Sequence, residues 1–408
     1  MTARLSARVS LGAAALALLV GCTPSPAPQT SQQASVEVFS WWSSGSEKLA
    51  SDLLASAFRA ANPDVTYEDA GVAGGAGSAA KDVLASRLAN GDPPDAFQVH
   101  GGAELAEHVA AGQVADLSDL YRDLHLDAYL PDAVRDLVSV DGVPYAVPTN
   151  IHRANLLWAN PSVLSAAGVT ATASYLTLDD WFVVLEKVKQ SGRTPLVLGA
   201  PWTQVHLLEQ VLLSRLGASG YDGLWSGRTN AASPEVAAAI EDFARLVGYA
   251  NTDRDALDWP DVAERLRHGE AAFMVMGDWA QQTVEAPIVW APFPGTDGVD
   301  DIVVDAFAQT VGAPHPDTAR LWLETVADRD VQVGFANAKG ATPPRTDVVT
   351  AELDAYPRAA FAAFHTDRLV LSVTHGEVAT PQALAELTAV VARLGRGTAS
   401  TAEVQYAL

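Results

Sequence analysis

At 408 residues the chain is longer than one ordinary hydrophobic core serves, so two domains are expected. Its composition, 49% hydrophobic and 18% charged, is that of a folded protein. The formal net charge of −23 argues against nucleic acid, a polyanionic ligand or a basic membrane-binding face, and leaves neutral or cationic small molecules as partners.

The chain opens with Arg4 and Arg8 ahead of an apolar run from Leu11 to Val20. That run is too short for a permanent membrane span and fits the apolar centre of a secretory signal, residues 1–22. Leu19-Val20-Gly21-Cys22 is similar to the bacterial lipobox, in which the cysteine becomes the acylated first residue; an ordinary signal with an incidental cysteine is the alternative. Removing this segment takes away two positive charges and no acid. Cys22 is the single cysteine, so no disulfide is available. Residues 23–35, rich in Pro, Ser and Gln, then read as a flexible tether.

Val36 to Phe39 alternates like a strand and runs into Ser40-Trp41-Trp42. Ser44 and Glu47 have capping-box spacing, and Leu49, Leu53, Leu54 and Phe58 follow at helical spacing before Asn62-Pro63. Residues 65–67 form a second strand candidate, the Gly-rich stretch 71–77 a turn, and Val83, Leu84 and Leu88 the apolar face of another helix. Gly91 to Asp95 breaks that helix ahead of a strand at 96–99. This alternation predicts α/β units with parallel strands. Further on, Thr177 and Asp180 cap a helix bearing Trp181, Leu185 and Val188, which Gly192 stops, and Ser233-Pro234-Glu235 opens another. Strands are expected at 271–276, 288–291 and 302–304, and helices near 316–327 and 382–394.

The chemistry collects at element ends. Two adjacent tryptophans on a strand point to opposite sides, and at the end of a strand they stand where open α/β sheets bind ligands. An indole face can stack on a pyranose while its N–H donates, although a core tryptophan beside a surface one reads equally well from this dipeptide. Gln98 and His100 share one strand face ahead of a Gly-rich turn. Asn150 and its polar neighbours, Trp202, Trp259, Asp278-Trp279, Asp305, Lys339 and His375 all interrupt or terminate apolar stretches. Glu47 and Asp278 also suit helix caps, and Lys339 a solvated surface. Aromatic walls with a few polar groups make a small-ligand pocket. No hydrolase elbow, zinc-protease helix, phosphate loop or dinucleotide fingerprint is present, and the nine histidines show no metal-ligand cluster, so neither cofactor nor metal is expected.

These residues together resemble the extracellular solute-binding proteins of carbohydrate ABC importers, and within them the glucose/mannose-binding lipoproteins. The similarity covers about 36 to 395 and rests on FSWW at 39–42, GGAG at 74–77, GDPPDAFQVH at 91–100, VPTNIHRAN at 147–155, WTQVHL at 202–207, MGDWA at 276–280, KGATPPR at 339–345 and VTHGEV at 373–378. The resemblance implies an α/β periplasmic-binding-protein-like fold of two lobes joined by hinge segments. Expected bounds are 36–145 and 278–330 for the first lobe, 146–277 for the second, and 331–408 mainly second-lobe helices. It implies sugar contacts at Trp41, Trp42, Glu47, Gln98, His100, Trp259, Asp305, Lys339 and His375, with Asn150, Trp202, Asp278 and Trp279 in second rank. The protein would be a lipid-anchored monomer, not an enzyme, at the cell surface or in the periplasm. It would bind a glucose-like monosaccharide and deliver it to ABC permease subunits. A disaccharide, oligosaccharide or other small solute is the alternative ligand, and a secreted carbohydrate hydrolase the lesser alternative. As a platform at the site, Trp42 should be replaceable by alanine with loss of binding but little loss of stability.

Overall fold

The computed structural model describes residues 34–408 except 44, 73–77 and 285–286. The expected signal segment, Cys22, the tether as far as residue 33, Ser44 of the capping box and the GGAG run lie outside the described residues. Twelve strands are present among the described residues: β1 Ser35–Phe39, β2 Thr66–Asp69, β3 Ala96–His100, β4 Ser139–Val140, β5 Val143–Pro144, β6 Ala146–Arg153, β7 Leu156–Ala159, β8 Thr194–Val197, β9 Ala271–Val275, β10 Val289–Pro292, β11 Val299–Gln309 and β12 Arg368–Leu371.

They form two main sheets. The first runs β12-β11-β3-β1-β2, with β6 also paired to β11; the second runs β10-β7-β9-β8. Parallel pairing holds for β1 with β2 and β3, β8 with β9, and β11 with β12. The parallel pairing expected for the alternating units between 36 and 99 is therefore present, while the other main-sheet pairs are antiparallel. Only Ala154 and Asn155 separate β6 from β7, so the chain passes directly from one sheet into the other.

Buried Asn155 ties the two passages together. Its amide donates to Thr296 Oγ1 and the Val299 carbonyl, both at 2.9 Å. Its carbonyl accepts from Arg153 Nε at 3.1 Å and the Asp301 N–H at 3.2 Å. The strand Ala146–Arg153, expected to open the second lobe, is instead hydrogen-bonded into the first sheet through β11. Strand β10, expected in the first lobe, pairs with β7 in the second sheet.

Each sheet is covered by helices whose boundaries follow the capping signals. Thr177 and Asp180 make a reciprocal capping box on the helix Leu178–Gln190, and Ser233 accepts from the Val236 N–H ahead of Pro234 at the start of Pro234–Val247. In the helix Gly45–Ala61 the buried stripe is Ala50, Leu54 and Phe58. Leu49, expected on that face, lies one position off the stripe and is exposed, as is Val83 on its own helix. Among the described residues no helix is long and apolar enough to cross a membrane.

Candidate functional site

Strand β11 runs between β3 and β6, with Asp305 in register with His100 on one side and Asn150 on the other. The β6 register slips between Asp305 and Ala306, an irregularity of the kind that re-aims a side chain. The Asp305 carboxylate is buried. Its Oδ1 accepts from Gln98 Nε2 and its Oδ2 from Asn150 Nδ2, both at 3.0 Å. His100 Nε2 and His152 Nε2 stand 3.6 and 3.5 Å from the same two oxygens. Gln98 is itself held by the Trp41 N–H, which donates to its Oε1 at 3.2 Å. Surrounding a buried carboxylate with donors is what makes its burial tolerable.

A second polar pair lies at the start of the helix Gly45–Ala61. Lys339 is not solvated: it is 1% exposed, donates to Glu47 Oε1 at 2.6 Å, and its ammonium sits 5.1 Å from the Trp42 ring centroid. Aromatic faces come from both sheets' surroundings. Trp41 and Trp42 follow β1, Trp259 opens the helix Trp259–Arg267, and Trp279 lies in the turn after β9. Gly277 permits that last placement, because a Cβ there would meet the Trp279 ring at 2.0 Å.

These groups surround a narrow cavity bounded by Trp41, Trp42, Glu47, His100, His152, Trp259, Trp279, Val303, Asp305 and His375. Of the expected first-rank residues, Gln98 and Lys339 stand behind this lining, fixing Asp305 and Glu47. Trp279, a second-rank residue, lines the cavity directly. Asn150 and Asp278 support it from behind. Asp278 caps no helix: it bonds His152 Nδ1 and accepts from the Arg153 N–H at 3.1 Å and the Tyr356 hydroxyl at 3.0 Å. Trp202 lies outside, in a neighbouring groove that shares His100 and His375 with the cavity. His152 is the residue that sequence reasoning missed. It sits two residues from Asn150 on one strand, the same spacing that marked Gln98 and His100.

The wall around His100 is electrostatically braced. Lys81 Nζ reaches Glu104 Oε2 at 2.6 Å and His100 Nδ1 lies 3.0 Å from the same oxygen. Burial pushes the Glu104 carboxyl up, but Lys81 and His100 outweigh it and hold the group down to about 2. His375 is driven the other way, well below the usual imidazole range, by burial first and then by His100 and His206. Gly102 brings the His375 loop close: at φ 75°, a Cβ would fall 2.2 Å from the Glu377 carbonyl oxygen.

The pattern of this chain from Trp42 to Val333 matches the bacterial extracellular solute-binding protein model. The chain belongs to that family. An uncharacterized ABC transporter extracellular-binding protein of Pyrococcus horikoshii is 33% identical over 383 residues, 91% of this chain and 86% of that protein. A probable sugar-binding periplasmic protein of Mesorhizobium japonicum is 30% identical over 78% of each. Among solved structures, a chitin oligosaccharide binding protein superposes with a TM-score of 0.80 over 92% of this chain and 96% of that one, at 19% identity. The architecture matches the two-lobed fold of extracellular solute-binding proteins.

Proposed function

We propose that this chain is the sugar-binding subunit of an ABC importer and takes one glucose-like ring into the cavity around Asp305. The observation that carries this reading is the Asp305 constellation. A buried carboxylate held by two side-chain amides and approached by two histidines offers fixed acceptors and donors to hydroxyl groups. Indole faces on the opposite wall suit the C–H face of a pyranose. Asp305 and Glu47 are both tied to donors, an arrangement for presenting acceptors rather than for cleaving a bond. The relatives' names, one ABC-linked and one sugar-binding, point the same way.

The sugar touches both lobes, so it favours the closed arrangement, which docks on the permease. The strand pairing supports one lobe built on β1–β3, β6, β11 and β12 and another on β7–β10, with Pro381–Gly395 packed on the second. Acylated Cys22 holds this exported monomer at the membrane, at the cell surface or in the periplasm. A disaccharide or oligosaccharide is the second reading, favoured by the groove beyond His100 and His375.

Isothermal titration of the chain against glucose, galactose, mannose, xylose, maltose and cellobiose tests the reading. Saturable one-to-one binding of a monosaccharide, recovered unchanged, is expected. A response to the disaccharides alone would move the ligand to the second reading, and silence toward all six would remove a sugar ligand of this size. Consumption of the sugar would replace binding protein by hydrolase.

A further inference from the structure

His375 also belongs to a second cluster, with His206 and Glu209. The helix Pro201–Trp225 presents His206 and Glu209, one helical turn apart, to the loop after β12, and all three side chains are buried, at 0%, 1% and 6% exposure. One potential ligand atom from each lies within 4.8 Å of the other two. His206 Nδ1 is 3.8 Å from Glu209 Oε2, and the His206 and His375 rings are 6.0 Å apart. Neither His206 nitrogen makes a hydrogen bond of normal geometry among the described residues, although the Ala154 backbone acts on the ring as an acceptor.

Glu209, Asp301 and Glu377 are all buried, and among the described residues none is ion-paired with a Lys or Arg. A divalent cation would supply a counter-charge to this side of the cluster.

We propose that His206, Glu209 and His375 form a zinc-type divalent-cation site that ties the loop after β12 to the helix Pro201–Trp225. Two imidazoles and one carboxylate with a fourth position for water are a donor set that zinc favours, at about 2.0–2.1 Å per ligand. Side-chain rotations would close the ligand atoms to about 3.3 Å from one another, the separation that tetrahedral geometry at those bond lengths requires. Outer partners are in place. The Tyr221 hydroxyl donates to Glu209 Oε1 at 2.7 Å, and Ser372 Oγ stands 2.8 Å from His375 Nδ1 and 3.2 Å from Glu209 Oε2. The groove beside Trp202 and Thr374, which His375 also lines, is a route in. Because His375 faces the cavity as well, the cation and the solute are coupled through one side chain.

The test uses the untagged full chain, stripped with EDTA and titrated separately with Zn²⁺ and Co²⁺. The expected results are one equivalent bound, visible absorption from tetrahedral cobalt, and a melting temperature that rises and saturates at one equivalent. His206→Phe and Glu209→Gln should each weaken the binding at least tenfold while the far-ultraviolet circular dichroism is kept. Binding that survives both substitutions, or no saturable binding by the unsubstituted chain, overturns the proposal. Should neither variant fold, X-ray absorption fine structure of the zinc-loaded chain decides. Two imidazoles and oxygen ligands support the site, and fewer than two imidazoles overturn it.

Discussion

The two sheets are built from different chemistry. Strands β7, β8, β9 and β10 carry one polar residue among them, Thr194. Strands β3, β6 and β11 of the first sheet bury Gln98, His100, Thr149, Asn150, His152, Arg153, Asp300, Asp301 and Asp305. Burying so many polar groups is costly unless each finds a partner. Several do, yet Thr149 Oγ1, Asn150 Oδ1 and His152 Nε2 have none among the described residues. The difference teaches a division of labour. Under the proposed function, the first sheet would hold the groups that recognise hydroxyls, and Trp259 and Trp279 would supply apolar faces beside a sheet that is otherwise plain core.

Breaking the polar side of this comparison should have the largest effect. Asp305→Asn keeps the shape but removes the charge that both amides and the solute's hydroxyls share. Charge-assisted hydrogen bonds are worth about 1.5–3 kcal/mol each, so affinity should fall at least about a hundredfold by titration calorimetry. An affinity within about threefold of the parent would remove Asp305 from the site.

Tryptophans on the two walls should separate next. Trp42 is 1% exposed, packed at 5.0 Å from Phe335 and 5.8 Å from Phe307. The expectation that Trp42→Ala spares stability therefore fails on packing grounds: the substitution should lose binding and also cost about 3–5 kcal/mol in chemical denaturation. Trp279→Phe keeps an aromatic face toward His152 and His375. It should weaken binding about tenfold and leave stability within about 1 kcal/mol. Equal stability losses in the two variants would show that both walls are core and that the division between lobes is false.

The same contrast explains what could be read in advance. Helices announced themselves through Thr177, Ser233 and their partners, because capping is local chemistry. Strands 271–276 and 288–291 were visible as short apolar runs with breaks. Strand β6 was not: Pro148-Thr149-Asn150-Ile151-His152-Arg153 has the polarity of a loop, and only its position between β11 and the cleft makes it a strand. Asp305 was legible as an acid ending an apolar run, whereas its partnership with Gln98 and Asn150 spans 207 and 155 residues of chain and has no local signature. Lys339 was ambiguous for the same reason, since the residue that buries it, Glu47, is 292 positions away.

The effect furthest from the solute is one of pH, on the brace behind His100. Glu104 is held at about 2 in the folded chain against 4.5 ordinarily, so the folded state binds its proton less readily than the unfolded one. A group lowered in this way contributes stability that is fully present above about pH 4.5 and is lost as pH falls through 2. At 1.36 kcal/mol per pH unit the contribution is on the order of 3 kcal/mol. Glu104→Gln should therefore be less stable than the parent at pH 7 by roughly that amount, with the gap narrowing steadily below pH 4.5 in urea melts. Buried His206 and His375 also titrate abnormally, but they act in both proteins, so they cancel when only the difference is read. A gap of constant size from pH 7 to 3 would assign Glu104 a packing role, and the His100 wall would then owe its rigidity to shape rather than to charge.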